Sequence, residues 1–363
     1  MPSFESLSPV LPNASHYTMH SPAMVDRQNR ITPIATSENM VRWNFDAKVT
    51  PYIDSADAES FKRVIHMSQV AQTDCVRAES EHHHRGRDKE YKTGGSTFWM
   101  LDDNWPTESW TSLEYGGRFK LLHYAAARFN SDVTISSYCL PSITNCSGMH
   151  VHVKSELLGA VTGTLDVSAV RWADGNVGAA ATTTVALTAQ SGANFTYSGS
   201  AFSALLTAAN CDKRDPVGTC FIQARLQIDD APGRVEGSTP PLVPVNYQWL
   251  TLWRDAKLAA TKFAIHIAAE PVLVTAASGA SGAAAAAVKV TVSSTEVAPY
   301  VMVHCRLPGD FGSFDNNGML MMPGERRTLV YTPKAFAPAG KHTPCSKASD
   351  FYAVSMNGLS SSP

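Results

Sequence analysis

Two textures of hydrophobic patterning divide the 363-residue chain. Up to about residue 130, apolar positions recur at helical steps where they recur at all. From about Ser60 to Arg85, the residues Phe61, Val64, Ile65, Val70, Ala71, Cys75 and Ala78 fall at three- and four-residue intervals. That spacing predicts one long helix with a single apolar face. Asp57 and Glu59 near its start suit the helix dipole. Gly94-Gly95 break the chain, and "STFWML" (96–101) reads as a short buried strand. A second helix is predicted from about Arg118 to Phe129, with Leu121, Leu122, Ala125 and Phe129 on one side. Residues 1–55 show little periodicity and many Pro, Ser and Asn, the pattern of an irregular connecting region. Helix, buried strand, loop, helix is the rhythm of an α/β barrel.

Beyond Asn130 the period drops to two. "HVHVK" (150–154), "LDVSA" (165–169) and "IQARLQI" (222–228) alternate, as do "KFAIHI" (262–267), "VKVTV" (288–292) and "YVMVHCRL" (300–307). Alternation in short runs separated by Gly, Asn and Asp predicts antiparallel sheets with one wet face. The Pro-rich "GSTPPLVPVNY" (237–247) and the polar "WRDAKLAATK" set a boundary near 255, and "AASGASGAAAAAV" (276–288) reads as a flexible loop. Each β block is about a hundred residues, the size of one sandwich. The expected fold class is therefore α/β plus all-β: 1–130 with a barrel rhythm, then β-sandwiches at 131–254 and 255–363. The first block supplies one or two strand–helix units where a barrel needs eight. Either the chain is the C-terminal part of something larger, or that block packs in another way.

Composition narrows the function. The chain is 44% hydrophobic and 17% charged, which is globular, and its net charge of −2 gives no basic excess for nucleic acid or an anionic membrane. No apolar run is long enough to cross a bilayer. The start, "MPSFESLSPV", is neither a signal nor a transit peptide. Seven cysteines without a CxxC pair exclude zinc-ribbon and thioredoxin readings. Cys211 and Cys220 flank a polar loop at a spacing that a hairpin disulfide could close, as do Cys139 and Cys146, and the odd total leaves at least one thiol over. Sequons at Asn13, Asn145 and Asn194, taken with these cysteines, point to a secretory or lysosomal compartment.

The chemistry concentrates in "FWMLDDNWPTESW" (98–110). Indole rings stack on the apolar faces of pyranoses, and carboxylates accept hydrogen bonds from hydroxyl pairs. A ring wall beside Asp side chains is what a saccharide subsite requires, with Pro106 stiffening the turn that aims Trp105. Against this stands a plainer reading, in which Trp99 and Trp110 anchor a core and Glu108 is solvated. Trp99 suits both roles and Trp110 and Glu108 the structural one, while Asp103 and Trp105 stand between the two. Asp102 and Asp103, adjacent on an extended segment, point to opposite sides and do not converge as a catalytic pair. Lys120, His123 and Tyr115 brace the loop. His82, His83 and His84 diverge around a helix end and form a solvated face rather than a metal site. Asp310, Asp315, Asn316 and Asn317 lack calcium-loop spacing and mark a turn at Gly318. Trp172, Trp249 and Trp253 fill sheet interiors or seams in preference to a carbohydrate-binding face.

The segment "GGSTFWMLDDNWPTESWTSLEYGGRFKLLHY" (94–124) resembles the last barrel strand and loop of glycoside hydrolase family 2 β-mannosidases. Their pattern runs aromatic-Trp-Gln-Leu-Asn-Asp-x-Trp, then Ser-Trp, acidic-Tyr, Lys and His-Tyr. It falls here on Phe98 to Trp105, Ser109-Trp110, Glu114-Tyr115, Lys120 and His123-Tyr124. "SQVAQTDCVRAESE" is similar to the family helix before that strand, and "VNYQWL", "VAPYVMV" and "FDNNG" resemble its C-terminal sandwiches. Met100-Leu101-Asp102 depart from Gln-Leu-Asn, and in "MVDRQN" (24–29) Asp26 stands where the family has His. The resemblance implies the end of a (β/α)8 barrel followed by two immunoglobulin-like sandwiches. It implies a retaining β-mannosidase acting on mannose-containing oligosaccharides, with no cofactor and no metal, in a lysosomal or secreted enzyme. Trp105, Asp103 and Trp99 become the expected sugar contacts. Retaining hydrolysis needs two carboxylates about 5–5.5 Å apart. In the family both precede a Pro-Ser-Phe like Pro2-Ser3-Phe4. The chain is thus expected to lack both, to be inactive alone, and to have the preceding part of the same enzyme as partner. The alternatives are a non-catalytic β-sandwich carbohydrate-binding or adhesion module, and a β-galactosidase or β-glucuronidase relative.

Overall fold

A computed structural model describes residues 1–29, 37–53, 55–88, 92–230, 244–267, 272–273, 286–307, 309–334 and 343–359. The loop expected at 276–288 lies outside these but for its last three residues, as does most of the Pro-rich stretch at 237–247. The chain forms two compact units, one from 1–74, 99–125 and 260–363, the other from 75–98 and 126–259.

In the second unit the strands run β1 (Val133–Ser142), β2 (Asn145–Ser155), β3 (Val161–Arg171), β4 (Ala181–Leu187), β5 (Gly192–Ser198), β6 (Cys220–Asp230) and β7 (Val245–Trp249). They build two antiparallel sheets, ordered β1-β2-β5 and β4-β3-β6-β7. The period-two pattern does what it predicted. Alternate residues Met149, Val151 and Val153 of β2, Leu165, Val167 and Ala169 of β3, and Ile222, Ala224 and Leu226 of β6 form one buried core with Phe202 and Leu205 of the helix Gly199–Ala208. Disulfides join Cys139 to Cys146 and Cys211 to Cys220. Trp172, Trp249 and Trp253 are buried together, with ring centroids 5.6 Å apart for Trp172–Trp249 and 4.9 Å for Trp249–Trp253.

The first unit holds the strands β8 (Phe263–Ile267), β9 (Val272–Leu273), β10 (Ala286–Ser294), β11 (Ala298–Cys305), β12 (Ser313–Phe314), β13 (Met319–Met321), β14 (Arg326–Thr332), β15 (Phe351–Ser355) and β16 (Gly358–Leu359). One antiparallel sheet runs β12-β14-β10-β8 with β9 on β10, the other β13-β11-β15-β16. Strand β11 is buried at every position, so the wet face expected from its alternation is absent. Its outward residues meet protein instead: Tyr300 donates from its hydroxyl to Asp74, and the carbonyl of Cys305 accepts from Arg118. A third disulfide joins Cys305 to Cys345, and Cys75 belongs to none of the three.

Three expectations for residues 1–130 need correcting. Residues 1–55 are not a connector. Short helices at Phe4–Leu7, Pro22–Met24, Ser37–Phe45 and Thr50–Ile53 bury Leu7, Met24, Val41, Phe45 and Ile53. Each is short, so none shows a period, yet their apolar residues are buried. The long helix is Ala58–Arg85, but Cys75 and Ala78 are exposed. Its buried stripe continues through polar residues, Ser68, Gln69, Thr73, Ser80 and Glu81, which an apolar count passes over. Gln69 donates to the Met1 carbonyl and accepts from Leu121 N, and Glu81 accepts from Asn246. Finally, 96–101 is extended but not a strand, and Trp99 and Leu101 are exposed. Among the described residues it joins no sheet; Met100 and Leu101 accept main-chain bonds from the turn at 112–113, and a single bridge follows from Asp102 to Leu113. Phe98 and Met100 are half-buried.

Two predictions follow from the core. The Cys305–Cys345 bridge closes 40 residues, against 7 and 9 for the others. Cys345→Ser with Cys305→Ser should cost about 4 kcal/mol by loop entropy, and opening a short bridge about 2.5; urea titrations of the two double variants check the ranking. Separately, His66 is buried with no partner for Nε2, and burial, aided by Arg63, holds its pKa down at about 3. Burial also pushes His304 well below the ordinary range. The unfolded histidines take up protons near pH 6.5 that the folded ones refuse. Stability should therefore fall as pH drops from about 6.5 towards 3. His66→Gln should flatten that slope by up to about 1.4 kcal/mol per pH unit in urea midpoints taken across the window.

Candidate saccharide site

The loop after Phe98 is shaped by main-chain bonds to the turn that follows it. Leu113 N donates to Leu101 O at 2.8 Å, and Ser112 N to Met100 O at 3.2 Å. Lys120 N donates back to Ser112 O at 3.0 Å. The reversal at Tyr115-Gly116-Gly117 requires glycine. Both Gly116 and Gly117 have positive φ, 96° and 91°. A Cβ on Gly116 would also lie 2.3 Å from the Phe311 ring. The Trp99–Met100 peptide is cis.

The indoles are presented differently. Trp99 is 76% exposed and Trp110 49%, so neither anchors a core as the plainer reading required. Trp110 is tied only through its carbonyl, which accepts from Gln72 Nε2 at 2.7 Å. Trp105 is half-buried, with the Arg27 guanidinium 5.5 Å from its ring centroid. Asp102 and Asn104 between them are exposed.

The carboxylates sort in the opposite sense. Asp103 is 6% exposed, and its Oδ2 accepts from Thr111 Oγ1 at 2.7 Å and from Lys120 Nζ at 3.5 Å, while Oδ1 has no protein partner. Lys120 is wholly buried and donates to Thr111 Oγ1 at 2.6 Å. Burial pulls its pKa down, against the pull of Asp103 and Glu114. Thr111 is thus the hinge of the network, donating to the acid and accepting from the base. Ser112 Oγ meets His123 Nδ1 at 3.2 Å, so Lys120 and His123 brace the loop as their place in the sequence suggested. Glu108, expected in solvent, is buried at 8% exposure. Glu114 is buried and accepts from Ser3 N at 2.8 Å, Ser3 Oγ at 2.7 Å and Ser6 Oγ at 2.6 Å. Pro2-Ser3-Phe4 therefore docks under the loop through this one carboxylate. The loop thus combines exposed indoles with a buried Asp103–Lys120 pair, residue types suited to a ligand with apolar faces and hydroxyl edges.

Elsewhere in this unit, Cys305, Asp310 and Cys345 lie within 4.8 Å of one another, but the two sulfurs are bonded together. The Asp310 carboxylate accepts from Gly312 N, Lys334 N and Cys345 N, a structural role. Asn317 bonds Val303 in both directions beside Gly318, whose φ is +62°, so this stretch is a turn. Asn13, Asn145 and Asn194 are exposed.

A family model for a mannosidase Ig-fold domain matches residues 269–346, a range that contains β9 to β14. The chain is 36% identical over 133 residues to the β-mannosidase of Capra hircus, taking in 35% of this chain and 14% of that protein. It is 45% identical over 74 residues to the β-mannosidase of Rattus norvegicus, 19% of this chain and 8% of that one. Over these stretches the chain is similar to β-mannosidases, and it spans only a minor part of the length of the relatives it matches. Its fold is like that of the solved β-D-mannosidase from Dictyoglomus thermophilum, with a TM-score of 0.63 at 15% identity over 99% of this chain and 36% of that one.

Sequence reasoning missed two residues of this site. Ser3 gave no signal beyond its place in Pro-Ser-Phe, and Arg27 none beyond a loose likeness around "DRQ". The grip of Glu114 is open to test. Glu114→Ala leaves buried donors on Ser3 and Ser6 unmatched and should cost about 3 kcal/mol, with Glu114→Gln retaining part of it; urea unfolding of both variants checks the order.

Proposed function

We propose that this chain serves in retaining β-mannoside hydrolysis, the release of terminal β-D-mannose from oligosaccharides and glycoproteins. Its Trp loop forms one wall of the pocket that holds the departing sugar. The observation that carries the reading is the pairing of exposed indoles with an acceptor below them. Trp105 stacks on the mannose ring, Trp99 offers a second face, and Asp103 Oδ1 accepts a hydroxyl once Thr111 and Lys120 have taken Oδ2. In the same reading 1–130 is the terminal fragment of a (β/α)8 barrel. Its support is the motif at 94–124 and the likeness to a solved β-mannosidase, since the described part of 1–130 contains no strand. A secretory or lysosomal setting is supported by three disulfides and three exposed sequons.

The loop's own acids are engaged elsewhere. Glu114 is saturated by serine donors, Asp103 is bound to Lys120, and Glu108 is buried. In this reading none of them serves as one of the two carboxylates, about 5–5.5 Å apart, that retaining hydrolysis requires. The reading as an adhesion or binding sandwich loses its main support, because Trp172, Trp249 and Trp253 are buried and offer no aromatic face. The expected outcome is that the purified 363-residue chain binds methyl β-mannoside but does not turn over a chromogenic β-mannoside. Trp105→Ala should weaken binding about 3- to 10-fold. Titration by tryptophan fluorescence and a release assay check the two halves; steady turnover, or binding indifferent to Trp105, would sink the assignment.

A further inference from the structure

Arg27 lies in the single turn Val25–Asn29, far along the chain from the loop it touches. Its side chain donates from Nη1 to Pro106 O at 2.7 Å and from Nη2 to Val10 O at 3.3 Å. Its own carbonyl accepts from Thr107 Oγ1 at 2.9 Å and from Glu108 N at 3.1 Å. One residue thus fixes Pro106, Thr107 and Glu108 from both its main chain and its side chain. The same guanidinium lies over the Trp105 ring. Among the described residues no hydrogen bond ties the Trp105 indole, so the cation over its face is the contact that selects a rotamer. An indole has two faces, and a cation on one leaves the other for a second flat or apolar partner. Lysine does not reproduce this arrangement, since the guanidinium fork donates to two carbonyls while it is held over the ring.

We propose that Arg27 is a positioning residue of the saccharide site: it presets the Trp105 ring so that the indole is ordered before the sugar arrives. This rests on the saccharide reading above. Ordering a side chain in advance removes a cost from binding. Arg27 therefore acts on sugar affinity through Trp105 without touching the sugar.

The test uses the 363-residue chain and methyl β-mannoside. The Trp105 indole N–H resonance is assigned by its loss in Trp105→Phe. In wild type it should be sharp without sugar. In Arg27→Lys it should shift or broaden while the other indole resonances and the circular dichroism hold, and affinity should fall about 3- to 10-fold. In a Trp105→Ala background, Arg27→Lys should have no further effect. Arg27→Gln serves as the second variant. A Trp105 resonance that Arg27→Lys leaves unmoved overturns the proposal. So does an equal loss of affinity with and without Trp105, or unchanged affinity. A wild-type resonance that sharpens only when sugar is added overturns it with no variant at all. A wild-type chain that binds no methyl β-mannoside brings down the saccharide reading and the role with it. That result is distinct from sugar binding that Arg27→Lys leaves untouched, which removes the role alone.

Discussion

Glu114, Arg118 and Lys120 are all buried, and a buried ion is costly unless it is paired or hydrogen-bonded. Each finds its partners in a different part of the chain. Glu114 takes the N-terminal serines, Arg118 donates to the carbonyls of Cys305 and Asp310, and Lys120 holds Thr111 and Asp103. The stretch "SLEYGGRFK" is therefore where the N-terminal helices, the C-terminal sandwich and the Trp loop are joined. Its two glycines permit the reversal that points successive charges to separate partners.

That constraint explains how the loop divides labour. Asp103 and Lys120 are buried and bonded to one another, Glu114 is buried on the N-terminal serines, and Trp99 and Trp110 are exposed. Rings need no partner to remain in water, whereas the carboxylates would lose their fixed geometry there. In the saccharide reading proposed above, such a wall supplies shape and orientation, and the reacting acids of a retaining glycosidase are a separate requirement.

Much of the sheet structure was legible, because alternation is a local signal. "HVHVK", "LDVSA" and "VKVTV" each fall inside strands β2, β3 and β10. The long helix was legible for the same reason up to Ala71, where its stripe turns polar. Local signals failed where burial is decided by distant partners. Ser3, Gln69 and Glu114 look like surface residues in sequence and are buried because another segment supplies their bonds. The opposite error arose at 96–101, where an apolar run reads as a strand but finds no sheet. At the site, the presence of Trp99, Asp103 and Trp105 was visible from ring and acid chemistry. The demotion of Glu108 from solvent to interior and the hold of Arg27 on Pro106 were not, since neither has a spacing that marks it.

The close approach of Gly116 to Phe311 carries an evolutionary consequence. A side chain at 116 would strike that ring, so the hinge of the loop and the edge of the sandwich are not free to drift apart over time. Lineages that change one are obliged to change the other. Swapping this sandwich for a foreign one of the same topology would leave the reversal without its matching wall.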